Sequence, residues 1–252
     1  MIKMKMMKKT AITLMLFVFT ISVTSQESVL LRYNYKKGDK YQMSMTMKQD
    51  MGVLGGMNIS MKSDVNIVSV ENNKFELSTK ANRVQMNVAQ GGTEVSFDSD
   101  TKEEDLDAEG KKMKTQFDAV LKTITYYSLN DLGEMASVRS EPATPNIAEN
   151  KDVIGYSVFP KEAVKVGSTW TQDLSPEGMK MSLKYKVKEI TKANVIVDIT
   201  GTIEVMGIKG SLTGAATIDR ATGNTNKMKL NSIIDSQGIK VTMVAEVSID
   251  KV

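Results

Sequence analysis

The chain contains no cysteine and no histidine, four prolines and one tryptophan, and it has no long uninterrupted apolar run after residue 25. Without cysteine it cannot be a disulfide-stapled scaffold, offers no thiolate nucleophile, and lacks the thiol that carries the lipid anchor of a bacterial lipoprotein. Without histidine the commonest general base and metal ligand are gone. No Gly-rich phosphate loop, Gly-x-Ser-x-Gly elbow or Ser-x-x-Lys in a helical setting takes their place. The expectation is a protein that is not an enzyme, with no cofactor and no metal.

The first residues set the compartment. Lys3, Lys5, Lys8 and Lys9 precede a charge-free apolar run from Ala11 to Val23, followed by small residues through Ser25 and then polar Gln26-Glu27. This is the pattern of a signal peptide over residues 1–25, and the run is shorter than the about 20 apolar residues a spanning helix needs. The 33 basic residues include those four lysines and the leader holds no acid, so 29 basic residues face 30 acidic ones beyond it. A near-neutral exported chain gives no reason to expect nucleic acid as partner. Export into the periplasm or the cell exterior is expected, as a soluble protein with no lipid anchor and no transmembrane segment once the leader is removed.

Alternation of period two dominates what remains. Met179, Met181, Leu183, Tyr185 and Val187 interleave with Lys180, Ser182, Lys184, Lys186 and Lys188, which predicts an antiparallel strand with one apolar and one wet face. Similar runs at 195–205, 208–218, 227–234 and 241–249 are separated by Gly- and Asn-bearing turns. Helical spacing appears in Met113, Phe117, Leu121 and Ile124, predicting one amphipathic helix around 110–124. The fold class is therefore mainly β: antiparallel curved sheets, as a half-open barrel or a sandwich-like arrangement.

Two similar halves are visible. At an offset of 122, Met57 falls on Met179, Met61 on Leu183, Val65 on Val187 and Phe75 on Val197; at 129, Lys37-Gly38-Asp39-Lys40-Tyr41 falls on Val166-Gly167-Ser168-Thr169-Trp170. Residues 129–133 likewise resemble 218–223. The division expected is 26–140 for the first half including the helix, 141–158 as a connection bearing Pro142 and Pro145, and 159–252 for the second half. Phe159-Pro160, Val164–Trp170 and the hairpin from Asn130 to Val138 after a single helix resemble a family of exported bacterial β-proteins of unknown function. The layout of many strands and one helix is also similar to the half-open barrels of periplasmic lipoprotein and lipid carriers, a likeness at the level of fold.

The candidate site is the stretch YQMSMTMKQDM at 41–51. A five-residue loop at 52–56 would pair Met51 with Met57, Met47 with Met61, Met43 with Val65 and Tyr41 with Ile67, placing apolar against apolar. Thioethers select Cu(I), but no histidine or cysteine is present to complete such a site. Methionine is an unusual strand residue, and its flexible side chain suits a surface that adapts to varied apolar shapes. Two readings result. In one, Met43, Met45, Met47, Met61, Phe75 and Leu77 form the wall of a site for a lipid or other apolar small molecule. In the other the sheet is a filled structural or interaction module, with an envelope protein as partner. Asp105, Asp107, Glu109 and Gly110 imitate the start of a calcium loop, but Lys112 and Gln116 break the pattern, so they read as a solvated loop before the helix. Trp170 is expected to plug a space beside a turn, as Tyr41 does in the first half.

Overall fold

The structure, a computed structural model, describes residues 27–143, 156–175, 178–236 and 238–252. The leader expected at 1–25 and most of the connection expected at 141–158 lie outside the described residues. The strands are β1 (Lys40–Asp50), β2 (Gly56–Glu71), β3 (Lys74–Gln90), β4 (Thr93–Asp98), β5 (Ile124–Asn130), β6 (Met135–Glu141), β7 (Thr169–Leu174), β8 (Met179–Ile190), β9 (Asn194–Val205), β10 (Ile208–Asp219), β11 (Thr225–Ser236) and β12 (Ile239–Lys251). Helix α1 spans Ala108–Lys122.

All twelve strands belong to one sheet, in the order β6-β5-β3-β2-β1-β12-β11-β10-β9-β8-β7, with β4 beside the far part of β3. Every pairing is antiparallel. The first and last strands meet at the middle, and β6 and β7 are its two edges, so the sheet curls into a half-open barrel. Alternation decides which face turns inward: on β8, Met181, Leu183, Tyr185 and Val187 are buried while Lys180, Lys184 and Lys186 are exposed. Two inward glycines let the second half curl tightly. A Cβ at Gly201 would sit 2.1 Å from the Ser182 carbonyl oxygen, and one at Gly214 would sit 2.2 Å from that of Lys229.

One mouth of this barrel is filled by chain rather than by strands. Between Glu27 and Lys37 the backbone runs through the interior, burying Val29, Leu31, Tyr33 and Tyr35. Val29 bridges Val164 of a second inner segment that buries Tyr156 and Phe159. The Tyr33 amide donates to the Asp131 carbonyl at 2.8 Å and that of Asn34 to the Thr222 carbonyl at 2.9 Å, tying the plug to turns of both halves. Tyr33 packs on Phe159 and Tyr35 with ring centres 5.0 and 5.5 Å apart, and Tyr35 meets Phe75 edge-on at 5.4 Å.

The resemblance between halves has a structural counterpart, at a different strand offset. In the lead-in turn of the first half, the Gly38 amide donates to the Ile67 carbonyl and the Ile67 amide to that of Asp39; in the second, Gly167 and Ser168 make the same bonds with Val187. Both strands then carry a bulge one residue later, at Val68 and Lys188. Ile67 thus occupies the place of Val187, an offset of 120 rather than 122. Alternation repeats every two residues and scores both offsets alike; the turn and the bulge select between them. The Asn130 and Asp219 side chains also play one role, each accepting two backbone N–H groups of its turn.

Helix α1 begins where Asp107 accepts the Gly110 N–H at 2.7 Å, with Glu109 in its first turn and Lys122 in its last. The acidic stretch is thereby a helix start, and Glu109 pairs with Lys112. Phe117 stacks on Phe97 of β4, ring centres 5.6 Å apart, docking the helix on the apolar face of β3 and β4.

Candidate functional site

The methionine strand occupies the middle of the sheet, flanked by β2 and β12. Met45 lies opposite Met61 on one side and Val247 on the other, Met47 opposite Ile59 and Ala245, and Gln49 opposite Met57 and Met243. The expected register is corrected by two residues: Met47 faces Ile59 instead of Met61, and Tyr41 faces Val65 instead of Ile67. The turn is the reason. Asp50 accepts the Gly52 N–H at 2.7 Å and the Met51 amide donates to the Gly55 carbonyl at 2.9 Å, so the loop closes over 51–55. Gly52 and Gly55 take positive φ, +61° and +112°. A shift of two keeps every side chain on its face, so Met43, Met45, Met47, Met57 and Met61 do share one surface.

That surface has two zones. Toward the plug, Tyr41, Val65, Ile67, Phe75 and Leu77 are buried, with Tyr35 of the plug against the rings of Tyr41 and Phe75, and Leu77 has no exposed area. Toward the β1–β2 hairpin, Met43, Met45, Met47, Met57, Ile59 and Met61 are only partly buried, as are Met86 of β3 and Met243 of β12. Of the six residues named from sequence, Phe75 and Leu77 therefore lie in the sealed zone and the four methionines in the open one. Met43 and Met45 pack against the core and mark the boundary. Met86 and Met243 escaped the sequence reading, because nothing local says that β3 and β12 flank β1 and β2. Their strand phase was the available signal.

The open zone is uncharged. Its inward positions on β1, β2 and β12 carry only Met, Ile, Ala, Val, Gln49 and Ser63. At the same end of the sheet a cleft of about 510 Å³ is lined mainly by positions of the opposite, outward phase, among them Lys48, Asp50, Asn58, Glu94, Thr242 and Val244, with Met57 and Val88 also among its walls. A more polar cleft of about 550 Å³ sits beside β3 and β4, where Gln85, Asn87 and Asp98 face Asp105 and Asp107. Asp98 there is held down to about 2 by the Arg83 guanidinium, 2.5 Å away, which commits both to an ion pair. What the methionine face offers is apolar contact with adaptable shape. Trp170, beside the lead-in turn of the second half, lies flat against Tyr185 with ring centres 5.0 Å apart.

The chain is similar in shape to the translocator domain of autotransporter NalP from Neisseria meningitidis, at 8% identity and a TM-score of 0.43, over 88% of this chain and 91% of that one. It is also similar to an outer membrane channel from Pseudomonas putida F1, at 6% identity and a TM-score of 0.33, over 86% of this chain and 97% of that one. No curated protein matches the sequence. Residues 155–231, from the second inner segment into β11, match the model of a family of unknown function, DUF6263.

Proposed function

We propose that this is an exported, non-enzymatic binding protein that holds a hydrophobic or amphipathic molecule against the methionine-lined part of its sheet. The observation that carries the reading is the contrast between two zones of one face, one sealed by aromatic rings and one left partly open and lined by methionine. Apolar contact there is worth about 25 cal/mol per Å² removed from water, and flexible thioethers adjust to the shape they meet. Met43, Met45, Met47 and Met61 form the wall with Met57, Met86 and Met243, and Phe75 and Leu77 form the sealed floor behind it. The leader-like first 25 residues support export. Lysines facing outward on β8 support an aqueous setting for the outer wall, since a barrel in a bilayer turns an apolar band outward.

Native mass spectrometry of protein taken from its own compartment, followed by organic extraction, tests this. A lipid or other apolar molecule at near-unit stoichiometry is expected, lost in Met45→Lys/Met47→Lys while the protein stays folded. An empty wild-type protein, or a double variant that unfolds, would favour the filled interaction module, to which the packing of Met43 and Met45 on the core points.

A further inference from the structure

Antiparallel pairing sends the hairpins β1–β2, β3–β4, β7–β8, β9–β10 and β11–β12 to one end of the barrel and the plug with the remaining turns to the other. The two ends differ in chemistry. At the plugged end the connections read Asn72-Asn73, Lys192-Ala193, Asn130-Asp131 and Asp219-Arg220. At the hairpin end two of the five tips are apolar, with Val53 fully exposed beside Leu54 and Met206 91% exposed beside Ile208; Ile239 at the start of β12 is exposed as well, while the β3–β4 tip reads Gln90-Gly91-Gly92-Thr93. Leu30, Val68, Val166 and Val252 are exposed toward the plugged end, on the inner segment, a strand bulge, a lead-in turn and the last residue, none of them at the tip of a hairpin.

We infer that this rim of hairpin tips is a docking surface for a lipid bilayer. Apolar side chains on separate protruding turns do not make the contiguous flat patch that a protein partner packs against, but a bilayer surface accepts each one independently. Lys209 follows Ile208 and Lys240 follows Ile239, so each ammonium can reach lipid phosphate while its neighbour inserts. Lys48, Lys209 and Lys240 are matched by Asp50, Glu204 and Asp235, which leaves the rim near neutral and suits a zwitterionic surface. The methionine face runs down to the same end, where Met57 lies opposite Val88 just past the β1–β2 tip. Docking does not require that face to hold a ligand, so it stands or falls separately from the binding function above.

The test is flotation of the leader-free exported protein with phosphatidylcholine vesicles. Wild type is expected to float with the vesicles and to do so nearly unchanged in high salt. Val53→Asn/Met206→Asn should lower the partition about tenfold; both sites are exposed, and asparagine tolerates the positive φ of Met206. Val166→Asn/Val252→Asn, 42% and 75% exposed at the other end, should float like wild type. The inference is overturned if wild type stays in the aqueous layer, if the two double variants behave alike, or if Val53→Asn/Met206→Asn only converts a wild-type oligomer to monomer.

Discussion

At the residue scale, the tyrosines of the plug govern how the protein responds to base. Burial raises the phenols of Tyr33, Tyr35 and Tyr156 well above their usual range, and that of Tyr185 to about 12. In the unfolded chain these groups lose their protons near the ordinary value of 10.0, before the folded chain does. Their contribution is therefore complete below that pH and is lost as pH rises through the folded-state values. Urea midpoints should be level from neutral pH up to about 10 and fall steeply above it. Tyr35 donates to Asn224 at 2.5 Å, so Tyr35→Phe should cost about 1 kcal/mol at neutral pH and the gap to wild type should shrink in base. A wild-type curve that stays level to about pH 12 would mean that water reaches these rings.

At the scale of elements, glycines with similar φ do different jobs. Gly38 and Gly167 turn the chain at +87° and +88° with nothing near a prospective Cβ, so alanine there should cost about 1–2 kcal/mol from backbone strain alone. Gly133 and Gly223 have φ of +86° and +73°, and a Cβ would also lie 2.4 Å from the Ser157 carbonyl oxygen or 2.3 Å from that of Arg32. Alanine at either should cost about 3 kcal/mol or more, because the turn is pressed on the plug. Urea denaturation of the four variants checks the order; equal losses would show that the plug moves aside freely. Sequence likeness had grouped each pair through its turn, and the structure adds that the later glycines hold the interior segments. The Val29–Tyr35 stretch has all its odd positions buried, an alternation that by itself is that of one more strand and does not mark a plug.

For the whole molecule, the decisive contact is β1 on β12, which joins the halves into a single sheet. Unfolding should be one transition rather than two. A chain ending after Ser236 would free the long edges of β1 and β11 at once, and such edges pair with other chains. Size-exclusion chromatography is expected to show aggregate. A folded monomer lacking β12 would instead mark the halves as independent units.

The sequence by itself determined the faces of the strands, the helix before β5 and the grouping of methionines on one side, because each follows from a local period of two or 3.6 residues. The helix lies at Ala108–Lys122 against an expected 110–124, and the meander from Met179 onward matches its predicted strands within a few residues. Only the tertiary structure decided the register of β1 on β2, the offset of the repeat, the joining of halves through β12, and which part of the methionine face is sealed by tyrosines. Alternation survives any shift of two residues, whereas turn bonds, bulges and contacts between Tyr35 and Phe75, forty positions apart, exist only once the chain has closed on itself.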